Sequence, residues 1–137
     1  MAKLTVKRPI TLVVIVTEEF KEQLVAELQE GAESTQRAMD QMDFQARHYL
    51  AELQRTNLQQ AMQVRQQIEA EKQKQEALKK EYLDRAEEAQ GLELGSEFVR
   101  GTLEGTVDLE EGQNLFDKLG KGAVVVKDGV IVEIREP

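Results

Sequence analysis

Residues 3–17 read KLTVKRPITLVVIVT, and the way this stretch is buried decides the fold. Leu4 and Val6 alternate with polar residues, and Pro9 then interrupts. From residue 10 onward both sides are apolar: Ile10, Leu12, Val14 and Val16 share one face, Val13 and Ile15 the other. Pro9 has no N–H to donate, so it marks an edge or a break between two short strands. Lys7 and Arg8 before the apolar run imitate the start of a signal peptide. The run is short, β-branched and followed at once by Glu18 and Glu19, with no small-residue cleavage pattern. A strand is therefore expected, and it must be covered by something else in the fold.

Residues 18–90 contain no proline and one glycine, Gly31. Thr17 is placed to cap a helix, Glu18 and Glu19 favour its dipole, and Gly91 stands where a left-handed C-cap would fall. Acid-first pairs four apart, such as Glu33–Arg37 and Glu81–Arg85, support a helix surface. A weak apolar seam runs through Met39, Met42, Ala46, Tyr49 and Leu53. It resumes through Ala61, Val64, Ile68, Glu71, Gln75, Leu78 and Tyr82. Between Leu53 and Ala61 the spacing is four plus four, through Asn57, a stutter that unwinds a left-handed coil. Isolated amphipathic helices are marginal in water, so this one needs a packing partner.

Residues 92–137 read as a β segment. Leu103, Val107 and Leu109 share a face, and Leu115 and Leu119 suit a single helical turn ended by Gly120. Asp128-Gly129 between β-branched runs is the strongest hairpin signal in the chain. At about 45 residues this segment is too small to hold a core alone. Pairing it with the N-terminal strand meets both needs, and requires the two ends of the helical region to lie together. The helix either folds back near Arg55-Thr56-Asn57, or two straight helices of about 110 Å pair antiparallel and exchange strands. No glycine or proline stands near the midpoint, which favours the straight, strand-exchanged dimer.

Composition narrows the function. Charged residues make up 32% of the 137, aromatics 4%, and the net charge is −8. An acidic chain repels phosphate backbones, so nucleic acid is disfavoured as a partner. With no cysteine, disulfides, thiolate metal sites and thiol nucleophiles are excluded. No segment is long enough to span a bilayer, so a cytoplasmic location and no membrane partner are expected.

Candidate chemistry is sparse. His48, with Asp43 and Glu52 nearby, reads as a solvent-facing residue rather than a metal ligand. Asp108, Glu110, Glu111 and Asp117 match no calcium loop. Gly101–Gly105 and Gly120-Lys-Gly122 lack the phosphate-loop pattern. Arg100, Lys118, Lys121, Lys127 and Arg135 could line a basic face, but the nearby aromatics, Phe98 and Phe116, read as core residues. No nucleophile–base pair or metal set emerges, so no enzyme activity, catalytic residue, metal or cofactor is expected.

Leu94-Gly95-Ser96-Glu97 after the helix, and Val124-Val125-Val126-Lys127-Asp128-Gly129-Val130-Ile131-Val132-Glu133-Ile134-Arg135 at the end, resemble the bacterial YlqD family of uncharacterised proteins. The layout matches throughout, and the sequence detail in these two stretches. Glu93 departs from the family pattern, standing where proline is expected. The resemblance implies a bacterial cytoplasmic protein with no assigned activity.

The expected architecture is α+β. Residues 1–17 supply strand, 18–90 a long coiled-coil segment paired antiparallel, and 91–137 the remaining strands. The expected role is a non-enzymatic, homodimeric scaffold or adaptor that binds an unidentified protein through Met39, Met42, Tyr49, Leu53, Val64, Ile68, Leu78 and Tyr82. A prefoldin-like chaperone clamp and a ribosome- or RNA-associated factor are the alternatives.

Overall fold

In the computed structural model, which describes residues 2–120 and 122–136, the N-terminal stretch is one inner strand of a four-stranded sheet. β1 (Lys3–Ile15) leads into α1 (Glu18–Thr56) and α2 (Leu58–Gln90). β2 (Glu97–Glu110), α3 (Leu115–Leu119), β3 (Gly122–Lys127) and β4 (Val130–Arg135) follow. The chain forms two compact units, one of Met1–Lys21 with Leu92–Pro137 and one of Glu22–Gly91. The expected α+β class, with a sheet built from both ends of the chain, is what is found.

The sheet order is β2-β1-β3-β4. β1 pairs antiparallel with β2 from Lys3↔Glu110 to Ile15↔Glu97, and parallel with β3 from Ile10↔Gly122 to Val14↔Val126. Residues 3–9 of β1 therefore have a neighbour on one side only. Pro9 falls in that half, where a missing N–H is tolerated, and β1 runs through it unbroken. Lys3 and Lys7 add exposed charge to the same half of the strand. β3 and β4 are joined by Asp128-Gly129 with φ of 49° and 83°, the two positive values expected of a tight hairpin turn.

Directly opposed residues share a face. Thr5, Lys7, Thr11, Val13 and Ile15 define one, which we call inner; Leu4, Val6, Arg8, Ile10, Leu12 and Val14 define the other, outer face. On the inner face Arg135 of β4 is ion-paired with Glu97 of β2, the two outermost strands. Three strand spacings separate these in a flat sheet, ~14 Å. The pair therefore marks a sheet curled about its inner face. The small core, Val13, Val125 and Val16, is buried there and at the end of β1.

The turn after α2 closes onto the same place. Gly95 N–H donates to Val16 C=O and Val16 N–H to Ser96 C=O, each at 2.8 Å. Thr17 caps α1 through Phe20 N–H, and its hydroxyl donates to Asp128 at 2.7 Å. The left-handed glycine is Gly95 (φ 85°), not Gly91, whose φ is −87°. Gly91 ends the helix instead by donating to Glu88 C=O.

The helical unit is a hairpin within one chain. Tyr82 packs on Gly31, Lys79 donates to Gln36 at 2.7 Å, and Lys72 reaches Asp43 at 2.8 Å. These contacts run antiparallel about Asn57, so the fold-back form, and not the favoured straight helix, is the one present. No glycine or proline is needed because asparagine makes the break. Asn57 is extended (φ −154°), its N–H still bonds Leu53 C=O, and its side chain accepts from Gln60 N–H.

The inward positions also differ from the expected seam. Leu24, Leu28, Ala32, Thr35 and Met39 are buried on α1, and Ala61, Ala86 and Ala89 on α2. Leu50 rather than Tyr49 turns inward, and Lys72 and Lys79 take the places given to Glu71 and Leu78. A lysine stem can lie along an apolar seam while its ammonium reaches a polar partner on the facing helix. A reading that ranks residues by polarity misses this.

Asn57→Ala should lower stability by about 1 kcal/mol in urea unfolding, through loss of the cap. A Cβ at Gly31 would stand 2.6 Å from the Tyr82 ring. Gly31→Ala should therefore destabilise by about 1 kcal/mol despite alanine's helix preference, and Tyr82→Leu should relieve the penalty in the double variant.

Candidate functional site: two exposed apolar surfaces

The outer face of the sheet is assembled from apolar cross-strand neighbours. Leu4 opposes Leu109, Val6 opposes Val107, and Ile10 opposes Leu103. Leu12 stands beside Val124, which in turn opposes Ile134, and Val14 lies between Phe98 and Val126. Such a surface ordinarily packs against a second layer. Here none of these side chains is buried; Leu103 is 46% and Ile134 63% exposed. Phe116 on α3, expected in the core, is 81% exposed.

Arg8 is the charged residue that β1 places on this face. Its side chain is only 11% exposed. One guanidinium nitrogen donates to Lys118 C=O at 3.1 Å and another lies 3.7 Å from Glu136. The group rests over Gly122, where a Cβ would come within 3.5 Å of it. Nε is buried without a hydrogen-bond partner. Arg8 thus fastens α3 and the C-terminal end to the sheet, and presents little free charge. A hollow of about 290 Å³ beside it is lined by Lys7, Pro9, Leu103 and Glu104 among others.

The inner face is polar along the β1–β2 ribbon. Thr5 donates to Asp108 at 2.6 Å, Lys3 approaches Glu110 at 3.8 Å, and Lys7 pairs with Glu104 at 3.3 Å. At the other end Arg135 donates to both Glu97 and Glu133. Its bond to Glu97 holds that carboxyl below the ordinary range and, with Glu133, holds the guanidinium above its own. The acidic cluster is therefore partly engaged with β1, and Arg135 is engaged with carboxylates. On the outer face, by contrast, Phe20 packs on Phe98, and Arg100 lies 6.0 Å from the Phe20 ring. Lys121, one of the basic residues considered above, lies outside the described residues.

The helical unit carries the second surface. Of the residues expected to bind a partner, Met39 is buried, and Met42, Leu53, Val64, Ile68 and Tyr82 are partly covered along the hairpin seam. Tyr49 and Leu78 are exposed. The large apolar side chains that face out near the turn are others: Phe44 and Leu58, each 65% exposed, and Met62. Periodicity does not find them, because they stand off the seam. His48 stacks edge-on against Phe44 with centroids 5.3 Å apart. With Gln45, Tyr49, Ala51, Glu52 and Arg55 it lines a depression of about 440 Å³. Asp43 is paired with Lys72, whose affinity for its proton is raised by that bond. Among the described residues no three His, Asp or Glu side chains gather as metal ligands, and no helix is long and apolar enough to cross a membrane.

The comparisons agree on the whole layout. Residues 4–135 match the family model described as YlqD protein. The chain is 28% identical over 123 residues to the uncharacterized protein YlqD of Bacillus subtilis (strain 168), covering 89% of this chain and 91% of that one. A crystal structure of a protein of unknown function from Synechococcus sp. WH 8102 superposes with a TM-score of 0.89 at 27% identity, covering 98% and 96% of the two chains.

The Glu97–Arg135 pair ties the two outermost strands through an ionised carboxylate. Glu97 titrates below its ordinary 4.5 when folded. Its contribution is complete above 4.5 and is lost as pH falls through the depressed folded value. Glu97→Gln should lower the melting temperature slightly at pH 7 and flatten its fall in acid. Thermal unfolding from pH 7 to pH 3 checks this.

Proposed function

This chain belongs to the YlqD protein family, and from that footing we propose that it is a non-enzymatic cytoplasmic scaffold whose helical hairpin binds another protein. The observation that carries the reading is the outward display of Phe44, Leu58 and Met62 near the hairpin turn. Monomeric proteins scatter single apolar residues over their surfaces. Several large ones within 20 residues of chain, on a two-helix arm with no third helix of its own, fit a surface used in recognition. The turn at Asn57 supports the same role, because a capped hairpin holds this surface in place before a partner arrives. The seam residues act one step back from the contact, by fixing how the two helices pair.

A second reading, a clamp that holds unfolded clients, rests on the same exposed residues, since flexible methionine and aromatic groups suit varied apolar segments. An RNA-bound role is weaker. Arg8 and Arg135 are engaged within the fold, and the net charge of −8 opposes phosphate.

Photocrosslinkers placed at Phe44 or Leu58 in cells should each give discrete adducts with another protein, and a crosslinker at Glu76 should give none. Phe44→Ser with Met62→Ser should abolish the adduct from Leu58 at unchanged helical content. Equal labelling from all three sites would end the proposal. Suppression of client aggregation, lost in the same double variant, would select the clamp.

A further inference from the structure

We infer that the outer face of the sheet is a self-association surface, covered by the same face of a second copy of this chain. This goes beyond the hairpin reading and uses different residues. The first argument is area. The four-stranded part is about 19 Å wide and 18 Å long, and the β1–β2 ribbon adds about 23 by 10 Å, from ~4.8 Å per strand and ~3.3 Å per residue. That is about 600 Å² of largely apolar outline, with Phe20 already resting on Phe98 at one end, near the upper end of what monomers expose. Two such faces would remove at most about 1,200 Å² from water, the lower bound for a stable specific interface.

The second argument is charge. The chain as a whole is acidic, at −8, and two copies repel. Yet the β1 charge on this face, Arg8, is 11% exposed and already held by Lys118 C=O and Glu136. Arg8 and the exposed Glu136 offset each other, so the face carries little net charge and suits an apolar surface like itself. The ribbon's exposed ion pairs are kept on the inner face.

The third argument is shape. Gly101 opposes Leu12 on this face, and a Cβ built there meets nothing within 4 Å. It leaves a notch beside a leucine near the middle of the sheet. By contrast the gap at Gly105 is already filled by Ile10 of the same chain. In a two-fold arrangement the open space over Gly101 of each copy takes a side chain of the other.

Sedimentation velocity of the full chain across a concentration series tests the inference. The expected species has twice the 15.5 kDa chain mass, and association should strengthen with salt as acidic repulsion is screened. Leu103→Lys with Ile134→Lys should raise the dimer Kd about 100-fold. Gly101→Lys should do likewise at unchanged melting temperature, since the notch is open in the single chain. Leu83→Lys on α2 should leave the dimer intact. A wild-type monomer at every concentration, or a dimer indifferent to both sets of sheet variants, overturns the inference. Neither result touches the hairpin proposal, which stands or falls on its own crosslinks.

Discussion

The fold depends on β1 having a neighbour on each side. Residues 10–14 bond β2 on one flank and β3 on the other, one antiparallel and one parallel. Every other β element takes its position from that strand. β2 follows its full length, β3 aligns with its second half, and β4 is held only through β3. Residues 16–96 intervene between β1 and β2, so the middle of the chain must return to its starting point. An antiparallel hairpin is the direct solution, and Thr17, Val16, Gly95 and Ser96 fasten its two ends together.

Much of this was legible in the residues. A strand apolar on both sides announced an inner position, and the lack of a self-sufficient C-terminal core announced its companion. Asp128-Gly129 gave the β3–β4 turn without ambiguity. The Leu94-Gly95-Ser96-Glu97 stretch that carries the family resemblance also has a structural reason. Gly95 and Ser96 bond Val16, and Glu97 holds Arg135. The Glu93 departure from proline is accommodated, because what the turn uses from that residue is its carbonyl, which accepts from Ser96.

What was not legible has a common cause. Sequence patterns rank residues by polarity, whereas packing depends on where atoms end up. Lys72 and Lys79 turn toward α1 because their stems are apolar and their tips find Asp43 and Gln36. Asn57 reverses the chain by capping, which a search for glycine and proline passes over. Phe116 resembles a core residue by type, yet sits on a five-residue helix with nothing above it. The outer sheet face is illegible for the opposite reason. Its residues have core-like identities, so nothing in the alternation shows that no second layer is supplied.

The parallel pairing of β1 with β3 also governs the order of events as the protein is made. Of the four strands β1 leaves the ribosome first, yet its partner on one flank begins only at residue 122. The helical hairpin, with its contacts closing outward from Asn57, can form while translation continues. The apolar strand must wait for β3 until that distant segment has emerged. Long-range strand pairing is slow and leaves sticky segments exposed meanwhile. Lys3, Lys7, Arg8 and Pro9, which later pair with β2, anchor α3 or lie beside the unpaired half, meanwhile make the waiting strand a poor template for aggregation.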